Sequence, residues 1–304
     1  MERFEVNILG CGSATPTMQH YPSSQVINVR DKLFMIDCGE GAQLQFRKSR
    51  LRFSRLNRIF ISHLHGDHCF GLIGLISTLD LLGRTGDIYI HAHADLENIL
   101  RPQIEYFCRD LAFNVIIEPF STTKNEVIFE DRSVKVSTIP LNHRVPCAGF
   151  LFEEQPREPN LIADKIKFYQ IPIKQLKDIK AGADFVCEDG TVVPNSHLTR
   201  PAPPTRKYAY CSDTAYSEAI IPIIEGVDLL YHEATFIEQD VARAKATGHS
   251  TTVQAAQIAK LAKVKKLMIG HFSARYTDNN ALLKEAQTVF PKTILANEGL
   301  CEKL

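Results

Sequence analysis

Residues 58–77 read RIFISHLHGDHCFGLIGLIS, and the fold turns on them. The opening RIFIS is a short β-branched and aromatic run and predicts a strand. The following CFGLIGLISTLDLLG is too densely apolar for a half-buried strand and ends at Gly83, so it predicts a buried helix. Between the two lie His63, His65, Asp67 and His68. On an extended segment residues two apart face the same way, so His63 and His65 can present ring nitrogens to one point. Asp67 and His68 follow the bend at Gly66 and can face a second point. Four such polar heads at a strand-to-helix turn are costly to bury without a partner, and their residue types are metal ligands. Two adjacent metal sites are predicted.

Such a pair needs further ligands. His143 in IPLNHRVP, Asp213 in AYCSDT and His271 in LMIGHFSARY each follow an apolar run, where an α/β scaffold displays its site residues. A carboxylate has two oxygens and can reach two metals, which makes Asp213 the best bridge. The inferred arrangement puts His63, His65 and His143 on one zinc, Asp67, His68 and His271 on the other, with Asp213 shared. A metal pair of this kind activates water and clamps an in-line displacement.

The rest of the chain agrees with an α/β architecture. Strands are predicted over RFEVNILG, SSQVINVR, KLFMIDCG, DIYIHAHA, FNVIIEPF, SVKVSTIPL, KYAYCSD, VDLLYHEAT, KKLMIGHF and TILAN, and helices over TTVQAAQIAKLAKV and NNALLKEAQTVF. The chain's 304 residues, 44% of them hydrophobic, can bury a large core. Its 35 basic and 35 acidic residues balance, so no global field draws it to nucleic acid or membrane, and any such binding must be local. There is no signal-like start and no apolar run of membrane-spanning length, and the 8 cysteines form no CxxC pair. The chain is read as soluble and cytoplasmic. From 152 to 205 the apolar periodicity weakens, prolines crowd in, and DKIKFYQIPIKQLKDIK is lysine-rich. That segment is read as an excursion inserted into a single domain spanning 1–304, without a second core.

ILGCGSATPT, MIDCGEGAQLQ, IFISHLHGDHCFGLIGLI, HEATF, HSTTVQAA and IGHFSARY, from Ile8 to about Tyr276, together resemble the ribonuclease Z family of the metallo-β-lactamase superfamily. HxHxDH alone points to the superfamily, and the HEAT and HST blocks narrow it. The resemblance implies an αββα sandwich, two mixed sheets between helices, with an inserted flexible arm. It implies an endoribonuclease that removes 3′ trailers from tRNA precursors, cutting after the discriminator base to leave a 3′-hydroxyl. It also implies two zinc ions per subunit, with manganese as a substitute, held by the seven residues above. Asp67 takes the further role of general base, and Glu233 of HEAT pairs with His249 of HST. A carboxylate-held imidazole can protonate the leaving 3′-oxygen near neutral pH.

Other candidates read more plainly. Asp37 is an orienter of ligand histidines, and Ser250 or Thr251 caps the following helix. His91 and His93 lack a following Asp-His and are structural, as are His20, His197 and His232. GCGSATP lacks a nucleotide-binding pattern, and its small residues let the backbone turn near the site.

The substrate follows from local charge, because one metal site of this type serves many esters. FRKSRLRFSRLNR carries six basic residues and no acid, and the excursion adds Lys165, Lys167, Lys174, Lys177 and Lys180. Such clusters suit phosphate contacts. In the resembled family the inserted segment grips the tRNA elbow across a homodimer, so these lysines are expected to contact precursor tRNA, and Arg275 in FSARY to clamp the cleaved phosphate. Two departures stand out: the arm has IPIKQLKDIKAG in place of a Gly-Pro-rich tip, and Ser212 precedes Asp213 where glycine is usual. The alternatives are another dinuclear hydrolase of this fold, such as a cyclic-nucleotide phosphodiesterase or an arylsulfatase-like esterase, and a non-catalytic RNA-binding module.

Overall fold

Among residues 2–304, which the computed structural model describes, the strands form two seven-stranded sheets and two short ribbons. With strands numbered in chain order, the first sheet runs β18 (Cys301–Lys303), β1 (Phe4–Gly10), β2 (Ser24–Val29), β3 (Lys32–Ile36), β4 (Leu56–Phe60), β5 (Ile88–Ala92) and β6 (Val115–Pro119). The second runs β17 (Thr293–Leu295), β16 (Leu267–Gly270), β15 (Leu229–Glu233), β14 (Lys207–Cys211), β9 (Ala148–Glu154), β8 (Val134–Pro140) and β7 (Val127–Glu130). Both are mixed. β3 to β6 are parallel, as are β14 to β17, while β1, β2 and β18 pair antiparallel and β9 runs antiparallel to β14.

The layers follow from the two-residue period of the strands. In β3, Leu33 and Met35 pack with Ala42, Phe46, Leu72, Leu75 and Leu96, from the helices Ala42–Lys48, Leu72–Leu81 and Leu96–Phe107. Phe34 and Ile36 point the other way, into the core shared with the second sheet. That core is aromatic: the Phe34 and Phe152 ring centroids are 6.0 Å apart, and Phe60 lies 5.5 Å from Phe150. The same apolar cluster takes in Ala255, Ile258 and Ala259 of the helix Thr252–Leu261, and Leu282 and Ala286 of Asn279–Val289. The order is helix, sheet, sheet, helix, as the family resemblance implies.

Three details differ from the sequence reading. The helix predicted after the histidines is two, Gly66–Cys69 and Leu72–Leu81. The break falls where the Gly71 amide donates to the Cys38 carbonyl at 2.8 Å, and a Cβ on Gly71 would stand 2.2 Å from the Gly39 carbonyl oxygen. β7, β9 and β18 escape the sequence pattern, and Phe152 and Glu153, read as the start of the excursion, belong to β9. The excursion also has a small core of its own, which corrects the reading of a coreless segment.

That segment, Glu154–Thr205, is a separate compact unit. Ile171, Ile179, Phe185, Val193 and Leu198 are buried within it. Its pieces are short: helices Ala163–Phe168, Leu176–Lys180 and Asn195–Leu198, and ribbons pairing β10 (Asn160–Leu161) with β13 (Thr199–Arg200) and β11 (Phe185–Val186) with β12 (Val192–Val193). No piece is long enough to display a hydrophobic period, which is why the sequence hides the core. Among the described residues no helix is long and apolar enough to cross a membrane.

Candidate metal centre

Asp67 and His68 lie in the short helix Gly66–Cys69, and the other donors named from the sequence stand at or beyond strand ends. His63 follows β4, His143 follows β8, Asp213 follows β14 and His271 follows β16, while Glu233 closes β15 and Asp37 follows β3. Asp37, Asp213 and His271 have φ of 54°, 47° and 61°, a left-handed geometry costly for residues with a Cβ. The turn redirects each side chain from the sheet toward the common end. Gly39 permits the close fit beneath, since a Cβ there would lie 2.5 Å from the Asp67 carbonyl oxygen.

The donors converge in two groups. His63, His65, His143 and Asp213 bring ligand atoms within 4.8 Å of one another, and so do Asp67, His68 and His271. His65 Nδ1 lies 2.9 Å from His63 Nε2 and 3.4 Å from His143 Nε2. Asp213, part of the first group, faces the second as well. Its Oδ2 is 3.6 Å from His63 Nε2 and 3.7 Å from His143 Nε2, while its Oδ1 is 3.2 Å from His68 Nε2 and 3.1 Å from His271 Nε2. Asp67 Oδ2 closes the second group, 3.4 Å from His68 Nε2 and 3.5 Å from His271 Nε2.

The opposite ring nitrogens are held from behind. His63 Nδ1 meets Ser62 Oγ at 3.0 Å, His68 Nδ1 meets Asp37 Oδ2 at 2.7 Å, His143 Nδ1 meets the Gly248 carbonyl at 2.9 Å, and His271 Nδ1 meets Thr235 Oγ1 at 2.9 Å. Protons placed on Nδ1 leave Nε2 lone pairs facing the two points, as metal-ligating histidines require. The Nε2 atoms of His68 and His271 are buried and make no hydrogen bond. Orphaned lone pairs among carboxylates are what a divalent cation satisfies, so the donor set fits a metal.

The electrostatics agree at the first point and at the shared carboxylate, while at the second burial is outweighed by Asp213, Asp37 and Asp67, which raise His68. Burial pushes the His63 ring well below its ordinary value, with His68 adding to the effect. Burial also lowers His65 and His143. Against the opposite pull of burial, His68 and His271 hold Asp67 well below the carboxylate range, and His271, His68 and His63 do the same for Asp213. The first point gathers neutral imidazoles and the shared carboxylate stays ionised, the protonation states that ligands need.

Glu233 and His249 meet as expected. Glu233 Oε1 is 2.8 Å from His249 Nδ1 and also accepts from the Thr214 amide at 2.9 Å. Burial opposes a charged ring, but the Glu233 carboxylate outweighs it and pushes His249 up to about 9. The His249 ring stacks on His271 at 5.3 Å and borders a groove of about 500 Å³, also lined by His143, Arg144, Tyr216 and Lys245.

The remaining candidates scatter. Lys165, Lys167, Lys174 and Lys177 are exposed on the Glu154–Thr205 unit, whereas Lys180 is half-buried, 3.2 Å from Glu158. Arg275 is exposed in the turn after β16. In the basic run, Arg47, Lys48, Arg50 and Arg52 are exposed, while Arg55 and Arg58 pair with Asp31 and Glu118. His91 stacks on Phe60 beside the Arg58 guanidinium, and burial, helped by Arg58, lowers it to about 3. Thr251 caps its helix through a reciprocal pair with Gln254.

Several supports lie outside the sequence reading. Thr235 Oγ1 bridges His271 and Glu233 Oε2, the latter at 2.6 Å; its place two residues after Glu233 in HEAT was the available signal. The Tyr210 hydroxyl donates to Asp37 Oδ2 at 2.7 Å, and Ser212 Oγ donates to Asp213 Oδ1 at 2.9 Å.

Two mixed sheets between helices, with paired His/Asp donors at their common end, define a metal-dependent hydrolase scaffold of the metallo-β-lactamase fold. The metallo-β-lactamase-fold protein YhfI from Bacillus subtilis superposes over 100% of both chains with a TM-score of 0.69 at 20% identity. The short form of human tRNase Z superposes over 98% of each chain, also with a TM-score of 0.69, at 26% identity. Ribonuclease Z of Bacteroides fragilis is 60% identical over 100% of both chains. The chain belongs to the ribonuclease Z family. A family model described as "Anti-Pycsar protein Apyc1" matches residues 4–157, a span that holds HxHxDH and His143 but ends before Asp213, Glu233, His249 and His271.

Proposed function

We propose that the protein is a zinc-dependent endoribonuclease that removes 3′ trailers from tRNA precursors, cutting after the discriminator base. The observation that carries this reading is the convergence of seven donors and the Glu233–His249 pair in a chain that matches ribonuclease Z along its whole length. His63, His65 and His143 would hold one metal, Asp67, His68 and His271 a second, and Asp213 would bridge them. Bound there, the metals would supply an activated water and a positive clamp on the phosphoryl oxygens.

The chain's own groups then complete the displacement. Asp67, ionised and aimed at the second point, takes the proton of the attacking water. As the bond from phosphorus to the 3′-oxygen breaks, His249 delivers a proton from Nε2, its Nδ1–H being held by Glu233. The products are a tRNA 3′-hydroxyl and a trailer with a 5′-phosphate. Arg275 contacts the cleaved phosphate. The exposed Lys165, Lys167, Lys174 and Lys177 grip the RNA backbone, which presents phosphates whatever its sequence. Zinc as the working metal, manganese as its substitute, a homodimer whose arm serves the partner's site, and a cytoplasmic location belong to the same proposal.

The test is a fourfold substitution of Lys165, Lys167, Lys174 and Lys177 by Glu, which leaves the arm's buried residues in place. Cleavage of a trailer-bearing precursor tRNA should weaken through KM and lose part of its salt dependence, while hydrolysis of bis(p-nitrophenyl) phosphate holds. If wild-type protein hydrolyses the small ester or a cyclic nucleotide but leaves precursor tRNA intact, the substrate reading fails.

A further inference from the structure

A second cluster of ligand-type side chains lies away from the paired donors. Cys11 directly follows β1, His20 precedes β2, and Glu298 lies in the turn between β17 and β18. Cys11 Sγ is 3.3 Å from His20 Nδ1 and 3.7 Å from Glu298 Oε1, and His20 Nδ1 is 3.0 Å from Glu298 Oε2. The Ala296 carbonyl oxygen stands 3.3 Å from the same sulfur. Cys11 is fully buried and the other two side chains are largely covered. We propose that Cys11, His20 and Glu298 form a third metal site, for a borderline-soft divalent cation of the zinc type, with the Ala296 carbonyl or a water as fourth ligand.

The spacing is that of a tetrahedral shell. Zinc bonds of about 2.3 Å to sulfur and about 2.0 to 2.2 Å to nitrogen and oxygen place S···N and S···O edges at about 3.6 Å and the N···O edge at about 3.3 Å. The three donor separations lie near those edges, with the sulfur facing Oε1, which also accepts from the Tyr21 amide at 2.8 Å, and the ring nitrogen facing Oε2, so a small turn of the Glu298 carboxylate brings one oxygen to both.

The surroundings of the imidazole add an independent observation. Asn279 Nδ2 is 2.7 Å from His20 Nε2, while Asn279 Oδ1 is buried and has no hydrogen-bond partner. A half-turn of this amide puts Oδ1 on His20 Nε2 as the acceptor of its N–H. The amide NH2 then takes the partnerless place of the oxygen, the ring proton is fixed on Nε2, and the Nδ1 lone pair faces Cys11 and Glu298. A carbonyl-type oxygen behind the ring is the usual support of a metal-bound histidine. Burial and the nearby carboxylate push the Cys11 thiol up, so it keeps its proton until a cation displaces it.

The site would brace the paired centre from behind. The His20 ring lies 5.7 Å from that of Phe272, whose amide donates to the Cys11 carbonyl at 3.0 Å, and Phe272 directly follows His271. With three protein ligands and a carbonyl at hand, the shell is closed in the manner of structural zinc sites.

The inference does not depend on the catalytic reading, because none of the paired donors is a thiolate. Full-length protein is stripped with chelator, titrated with Co²⁺ and followed in the near ultraviolet, where a thiolate bound to cobalt gives a charge-transfer band. Wild-type protein and an Asp213→Ala variant should both show the band. Cys11→Ser should lose it, and Cys11→Ser and Glu298→Gln should each bind about one metal equivalent fewer per chain. Absence of the band from wild-type protein overturns the site, as does unchanged stoichiometry in Glu298→Gln. The second variant decides the matter if Cys11→Ser fails to fold.

Discussion

Replacing Asp37 by alanine removes a group that touches no metal point yet should disturb both the fold and the centre. The carboxylate is fully buried and accepts from the Ser62 amide at 2.8 Å, Ser62 Oγ at 2.9 Å, the Tyr210 hydroxyl at 2.7 Å and His68 Nδ1 at 2.7 Å. Ser62 Oγ retains His63 Nδ1 as a neighbour. His63 Nδ1 donates to that oxygen, so the Ser62 hydroxyl proton is stranded with the Ser62 amide, the Tyr210 hydroxyl and His68 Nδ1, four buried donors at about 1 to 3 kcal/mol each. Relief of the carboxylate's own desolvation and entry of one water return part of this, leaving about 3 to 5 kcal/mol. At roughly 2 °C per kcal/mol for a large domain, the melting temperature should fall by about 6 to 10 °C. His68 loses the partner that fixes its tautomer, and such losses weaken metal binding roughly 10- to 100-fold. Asp37→Asn should lie between, because an amide oxygen in the place of Oδ2 still serves the Ser62 and Tyr210 hydroxyls and His68 Nδ1 while its NH2 opposes the Ser62 N–H. Calorimetry of metal-free protein measures the first effect, and competition against a chromophoric chelator the second. Melting within about 2 °C of wild type, together with unchanged metal affinity, would refute the reasoning.

Asp213→Ala should release both metals of the paired centre and abolish phosphodiester cleavage, read by metal content and bis(p-nitrophenyl) phosphate turnover; retention of either metal at wild-type affinity contradicts the bridging geometry. His249→Ala should keep the metals and lower kcat about 10²- to 10⁴-fold. The donor must be protonated to act and Glu233 holds His249 up to about 9, so activity should decline as pH rises through that region. Glu233→Gln removes the raising charge and should move the decline to lower pH, seen in a kcat profile. Phe150→Ala opens the aromatic layer between the sheets and should cost about 3 to 5 kcal/mol in denaturant unfolding.

The paired donors were legible in the sequence because each sits at a fixed offset from a strong local signal. HxHxDH joins a strand to a helix, and His143, Asp213 and His271 follow apolar runs. The supports were less legible, since Tyr210 behind Asp37 and Gly248 behind His143 come from elements remote in the chain, brought close only by sheet packing. Thr235 was within reach, two residues from Glu233 on an extended segment. The left-handed turns at Asp37, Asp213 and His271 carry no sequence mark, because glycine is absent where the backbone alone would favour it. β7 and β18 are too short to show a period, and the core of Glu154–Thr205 is assembled from single residues on many small pieces. His20 read as a packing residue because its companions Cys11 and Glu298 lie at opposite ends of the chain.

The unit Glu154–Thr205 interrupts the chain between two donors, His143 and Asp213, but it does so between strands already zipped together, with Glu153 paired to Lys207 and Phe152 to Tyr208. The chain ends that frame it are therefore fixed by the β9–β14 ladder rather than by anything within it. Closing such a loop costs only about 0.6 kcal/mol more for each doubling of its length. The arm is thus free to lengthen, shorten or be exchanged while the ladder keeps His143 and Asp213 in register, so this position is where the scaffold can acquire a new grip without relearning its chemistry.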